Sequence, residues 1–258
     1  MTLALSQTGL LTVRSLRTLR RQPVYLAFSL VQPLVWLLLF GTVFSAIGKL
    51  PGFGEDSYLA YLTPGVVAMT AMLVANWAGT TFIQDIERGV MERTLSSPVR
   101  RGSLVAASVC YQGISMVILG LLVFGAAWVA GVRYSGSWVG VPVAIGLAVL
   151  LAAAFTGLSD ALALLLRSQE ALIGLSQFLT LPLSFLSSVM IAPELMPSWV
   201  ASAAKWNPLD WAASGSREAL SANPDWGLVG RDAAQLTVLA LVLGFVAAGA
   251  FRAYQRSS

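Results

Sequence analysis

Few side chains in this chain can carry chemistry. Histidine is absent, which removes the commonest general base, the commonest metal ligand and the ordinary neutral-pH proton switch. The single cysteine, Cys110, lies inside an apolar run and can form neither an internal disulfide nor a thiolate cluster. Lysine occurs only as Lys49 and Lys205. A phosphate-binding loop of the G-x-x-x-x-G-K-[ST] type needs glycine amides and a lysine around the phosphates, but no glycine stands five residues before Gly48, and Leu50 follows Lys49. No nucleotide site, metal site or catalytic constellation can be assembled, so the chain is read as a non-enzyme. What remains is charge in two settings. Asp160 stands alone within a long apolar run, and Gln84 to Arg101 (QDIERGVMERTLSSPVRR) packs four arginines and three acids into 18 positions.

The elements around these charges belong to a membrane protein. Of the 258 residues 57% are hydrophobic and 11% charged, with a mean hydropathy of +0.75, far from soluble-domain composition. A helix needs about 20 apolar residues to cross a hydrocarbon core. Six segments meet or approach that length, at 25–48, 58–83, 104–130, 138–166, 170–191 and 233–251. The first is too long for a cleaved signal segment, so it is expected to be retained. Segments 1–24, 84–103, 167–169 and 252–258 hold 11 Lys or Arg, while 49–57, 131–137 and 192–232 hold 5 over a similar length. The excess of basic residues puts both termini and the 84–103 loop in the cytoplasm. The expected fold is therefore all-α integral membrane, one domain with six transmembrane helices. The excess charge sets orientation and does not indicate nucleic acid.

Local patterns refine this frame. Leu10, Leu11, Val13, Leu16 and Leu19, interleaved with Arg14, Arg17, Arg20 and Arg21, predict an amphipathic helix lying at the membrane surface. Pro33 and Pro182 predict bends within spans. Gly136 and Gly140 form a small-xxx-small pair at the entry of the fourth span, a weak signal in a glycine-rich chain. In the loop, Asp85 to Leu95 reads as a short helix with Ile86, Val90 and Leu95 on one side and Met91 beside them. Arg88 and Glu92 can pair four residues apart, and Pro98 stops the helix by about Ser96. The residues alone admit a solvated connector or a docking element. The three-residue connector Arg167 to Gln169 shows that a connector need not be long.

Between the last two spans, 192–232 holds Trp199, Trp206, Trp211 and Trp226. A helix from Ser198 to Lys205 places Trp199 and Trp206 on one face. Asn207-Pro208 reads as an N-cap with proline at the first helical position of a second helix running toward Leu220. Both suit the outer interface, where tryptophan is favoured. Asp160 is expected to face the bundle, because a mid-bilayer charge costs on the order of 3 kcal/mol. Arg167, seven residues on, is its candidate partner, although a role in proton or substrate handling stays open. Asn76, Gln112 and Gln177 read as interhelical hydrogen-bonding residues.

Four stretches together carry a resemblance. The loop pattern Asp85-x-Glu87-Arg88-Gly89-x-x-Glu92-Arg93-x-Leu95-x-Ser97-Pro98-Val99-x-Arg101 resembles the first cytoplasmic loop of the type-2 membrane-domain permeases of ABC transporters. The basic lead-in with Gln32-Pro33, the run Tyr61-Leu62-x-Pro64-Gly65, and Pro182-x-x-Phe185-Leu186-Ser187-Ser188 continuing to Asn207-Pro208-Leu209 resemble the daunorubicin/doxorubicin resistance subgroup. Ser188 stands where that subgroup frequently has glycine, and Met91 where threonine is frequent. The resemblance implies that Asp85, Ile86, Glu87, Arg88, Val90, Met91, Glu92, Arg93, Leu95 and Pro98 form a coupling helix seated on a separate cytoplasmic ATPase subunit. It also implies that short re-entrant external helices, with Pro193, Trp199, Trp206, Asn207, Pro208 and Trp211, close the outer end of the pathway. Further, it implies two permease copies with two ATPase subunits in the plasma membrane, with ATP and Mg2+ bound by the partner and none by this chain. The expected cargo is amphipathic drugs, antibiotics or lipid-like compounds moving outward. A polysaccharide or teichoic-acid permease is the neighbouring alternative, and a proton-coupled secondary transporter using Asp160 the alternative from another class.

Overall fold

The computed structural model of the protein describes residues 8, 9, 12, 23–46, 57–88, 101–134, 136 and 139–256. The described residues are helices and their connections, in the order α1 (Pro23–Val35), α2 (Tyr58–Asn76), α3 (Ala78–Glu87), α4 (Arg101–Val129), α5 (Gly140–Leu166), α6 (Gln169–Phe185), α7 (Ser198–Ala204), α8 (Pro208–Leu220) and α9 (Trp226–Arg256). A π turn, Trp36–Phe40, and a last turn, Gly41–Val43, extend α1 beyond Pro33. The wider turn is a common way for a membrane helix to absorb the hydrogen bond that proline cannot make.

Short polar residues set the helix starts. Ser57 caps α2 by accepting the Ala60 amide at 3.1 Å, Ser168 caps α6 through the Ala171 amide at 3.3 Å, and Asn207 caps α8 with Pro208 at its first position. Each satisfies an amide that the first turn leaves without a partner. The α5–α6 hairpin closes through Arg167, which ends α5 in the left-handed region at φ 53°, ψ 18°.

Helix α5 is the hub, packing against α2, α3, α4, α8 and α9. Two apolar cores lie along it. The larger joins Leu62 and Met72 of α2, Met116 of α4, Leu147 and Leu151 of α5, Leu209 of α8 and Leu236 of α9. The smaller gathers Phe82 and Ile83 of α3, Val105 of α4, Leu164 of α5, Leu172 of α6 and Phe251 of α9. Around them, Phe178, Leu181 and Phe185 of α6 and Val238, Leu241 and Phe245 of α9 face outward, as lipid-facing or subunit-facing surfaces do in a membrane chain.

Among the described residues, four helical stretches are long and apolar enough to cross a membrane: Tyr58–Glu87, Gly102–Val129, Gly140–Leu166 and Trp226–Arg252. The first segment holds the apolar helix Ser29–Val43, which helical backbone from Pro23 onward extends. The fifth was expected over 170–191, but α6 stops at Phe185 after 17 residues, about 25 Å of rise. The sixth begins earlier than expected, at Trp226. The surface helix expected before Pro23 falls mostly outside the described residues.

The two helices expected between the last spans are present with nearly the expected bounds, but α8 is not an interfacial helix. Leu209, Ala212, Ala213, Gly215, Ser216 and Ala219 are buried against α2, α5 and α9. Its last turn sits against the start of α5, where a Cβ on Gly140 would collide with the Ala219 carbonyl. The Gly136–Gly140 pair therefore has a packing role: Gly136 meets the Leu220 and Ser221 carbonyls in the same way.

Candidate functional site

After Phe185 the chain leaves α6 and crosses the bundle without regular structure until Ala192. Buried amides and carbonyls there need partners from elsewhere. Side chains of α2 and α8 supply them. Asn207 donates through Nδ2 to the carbonyls of Leu183 (2.6 Å) and Leu186 (2.8 Å), while its Oδ1 accepts the Leu209 amide at 3.0 Å. Asp210 Oδ1 accepts the Ser188 amide at 2.7 Å. Tyr61 donates its hydroxyl to the Ser188 carbonyl at 2.7 Å, and Tyr58 to the Met190 carbonyl at 2.8 Å.

Arg217 is the centre of this clamp. Its Nε donates to the Tyr61 carbonyl (3.1 Å), Nη1 to Ser188 Oγ (2.9 Å), and Nη2 to the carbonyls of Ser188 (2.9 Å) and Val189 (3.1 Å). The guanidinium carbon lies 3.7 Å from the centre of the Tyr61 ring, within cation–π distance. A planar fork with five donors suits several fixed oxygens in a way an ammonium does not. Gly65 allows the segment to close on α2, since a Cβ there would come within 2.7 Å of Val189 Cγ1. The stretches Tyr61 to Gly65, Phe185 to Ser188 and Asn207 to Leu209 are thus one structure. Behind it, Asp232 of α9 is fully buried, with Ser214 Oγ at 3.1 Å and Arg231 at 3.0 Å, tying α9 to α8.

The tryptophans divide. Trp199 on α7 and Trp206 in the turn that follows it are 67% and 82% exposed. Trp211 is partly buried and donates its indole N–H to the Lys205 carbonyl at 2.8 Å, holding the α7–α8 corner. Pro193 opens a single 3-10 turn, Pro193–Leu195.

At the other end of the bundle, Asp85, Ile86 and Glu87 form the last turn of α3, and Arg88 follows in a turn whose amide reaches the Gln84 carbonyl at 3.0 Å. They continue a helix that begins at Ala78, where the sequence pattern placed the start of a separate helix at Asp85. Val90, Met91, Glu92, Arg93, Leu95 and Pro98 lie outside the described residues.

Asp160 is fully buried, and its partner is Ser108 of α4 at 3.4 Å, with Oδ2 unbonded. The pairing with Arg167 does not form. Seven residues share a face only while the helix continues, and α5 ends at Leu166 with Arg167 turned left-handed. Asn76 donates to Thr180 of α6 at 2.8 Å and Gln112 to the Val74 carbonyl at 3.4 Å, the interhelical roles expected of them. Gln177 is exposed and borders a small hollow with Leu73, Asn76 and Ser176.

Sequence reasoning missed Arg217, Asp210 and Asp232. Asp232 was assigned to an external loop because the last span was begun at 233. The signal for Arg217 is faint: a lone arginine on α8 among Ala, Ser and Gly, seven residues after Asp210 and so on the same face.

The family described as ABC-2 type transporter matches residues 6–221. The daunorubicin resistance ABC transporter permease protein DrrB1 of Streptomyces coeruleorubidus is 26% identical over 205 residues, covering 80% of this chain and 71% of that one. Proteins named ycf38 and described as transport permeases are similar as well. That of Porphyra purpurea is 29% identical over 208 residues, covering 80% and 70%, and that of Cyanophora paradoxa 29% over 194 residues, covering 75% and 67%.

Proposed function

The chain belongs to the ABC-2 type transporter family, and from that premise we propose that it is the permease half of an ATP-driven exporter of amphipathic drugs, antibiotics or lipid-like compounds. It is a multi-pass membrane subunit of an ABC transporter. In the proposed assembly two copies pair in the plasma membrane, each with six spans and cytoplasmic termini, and two cytoplasmic ATPase subunits bind ATP and Mg2+. Asp85 to Leu95 docks on the ATPase. Closure of the ATPase dimer displaces α3, and the pathway between the two permeases opens outward.

The observation that carries this reading is the clamp. Three stretches that resemble drug-resistance permeases meet around the end of α6, held by Arg217 on one side and Asn207 on the other, and α8 lies inside the bundle with its first turn beside the α6 carbonyls and its last turn at the start of α5. A re-entrant helix so held suits a closure of the outer end that must resist opening until driven. The drug assignment is supported by the name of the Streptomyces relative.

The test is export of daunorubicin from cells expressing the permease with its ATPase. Lower accumulation than in cells with either subunit alone supports the reading. Equal accumulation in all three would remove the drug assignment.

A further inference from the structure

Helices α2 and α3 meet at Trp77, the single residue between them, whose amide bonds the Val74 carbonyl three residues back. Neither proline nor a π turn accounts for the break. A side chain from another helix enters the hydrogen-bond ladder, a recognised cause of a sharp kink. Ser159 of α5, itself 2% exposed, accepts the Gly79 amide at 3.0 Å and donates to the Asn76 carbonyl at 3.0 Å. One hydroxyl thus replaces a backbone partner on each side of the break. Gly79 makes the approach possible, because a Cβ there would collide with the Ser159 carbonyl and come within 2.8 Å of its Oγ.

The break also divides the packing. Above it, α2 belongs to the larger core, and below it Phe82 and Ile83 of α3 belong to the smaller one with Leu164 and Leu172 of the α5–α6 hairpin. Gln112 of α4 and Thr180 of α6 hold the Val74 carbonyl and the Asn76 amide beside it. A helix interrupted in this way does not pass a push along its axis. The push goes into whatever holds the break.

We propose that Ser159 is a positioning residue for coupling. Its hydroxyl pins α3 to α5, so that displacement of α3 is received by the α5–α6 hairpin and not by α2. This rests on the ATP-coupled reading above, and the test separates the two.

The permease is purified with its ATPase subunit in nanodiscs, and backbone hydrogen exchange is followed with and without ATP plus vanadate. In wild type, nucleotide changes exchange both at 78–88 and at the hairpin, 165–172. Ser159→Ala keeps the change at 78–88 and loses it at 165–172, with ATP hydrolysis retained. Gly79→Ala, which separates the two helices by bulk, does the same. Thr156→Ser is the control. Thr156 is a buried residue one turn earlier on α5 whose hydroxyl has no partner, and its variant behaves as wild type. A hairpin response that survives in both Ser159→Ala and Gly79→Ala, or is lost in Thr156→Ser as well, overturns the pin. Absence of any nucleotide effect at 78–88 in wild type overturns the coupled reading and the pin together.

Discussion

The two ends of this helix bundle are held by opposite means. At the end that carries α8, an irregular segment is fixed by a charged fork, two tyrosine hydroxyls, an asparagine and an aspartate, which together engage six backbone groups between Leu183 and Met190. At the end that carries α3, a helix is attached through one serine hydroxyl and a small apolar core. Breaking the first arrangement requires several polar groups to lose partners in an apolar setting, whereas breaking the Ser159 contact costs one hydroxyl its two partners. Under the proposed function this asymmetry has a use: a lightly held input whose displacement passes to α5, and a closure that yields only when driven.

The largest way to break the contrast is Arg217→Ala. It leaves the Ser188 and Val189 carbonyls short of a donor in a buried setting, and we expect a loss of about 3 kcal/mol or more. The purified protein should unfold at a lower temperature, and export should fall by roughly tenfold or more. Arg217→Lys should recover little, because a single ammonium cannot reach all four oxygens. Stability and export both unchanged in Arg217→Ala would remove the clamp from the account.

Asn207→Ala comes next, with an expected loss of about 2 kcal/mol, since it removes both the helix cap and the donor to two α6 carbonyls. Thermal unfolding in detergent should separate it from Trp206→Ala, whose side chain is 82% exposed. The tryptophan variant should insert normally and lower export only a few-fold, the scale of one weak interfacial contact. Pro208→Ala should act in the same direction as Asn207→Ala and more weakly.

Much of the end that carries α8 was legible in the sequence. Asn207-Pro208 specified the start of α8 because capping chemistry is local. The burial of α8 was not legible, because its Ala, Ser and Gly positions read as weakly amphipathic, and only contact with Gly140 and Leu147 of α5 shows that they are packed. Arg217 escaped for a related reason: its partners lie 28, 29 and 156 residues away, beyond any spacing argument. At the end that carries α3, the apolar run from 58 onward hid the break at Trp77, because Ser159, whose hydroxyl bonds on both sides of it, sits on another helix. The expected Asp160–Arg167 pair failed although the end of the span was placed correctly at 166, because a seven-residue spacing keeps one face only inside the helix and Arg167 turns left-handed just beyond it.

The smallest expected effect sharpens the comparison from the middle of the bundle. Asp160→Asn keeps an oxygen for Ser108 and removes only a charge that no basic partner offsets among the described residues. If transport is driven from the α3 end, export should change by less than about twofold, since no coupling energy passes through this side chain. Abolished export in Asp160→Asn, with the protein inserted and stable, would shift the driving force to proton movement.

The most direct test of the whole account is energetic. In inverted membrane vesicles that carry the permease and its ATPase, daunorubicin uptake is measured with ATP held constant while a protonophore and a potassium ionophore abolish the proton gradient and the membrane potential. The account predicts that uptake continues and stops when ATP is withdrawn. Uptake that stops on collapse of the gradients, or that persists without ATP while the gradients are maintained, would contradict it.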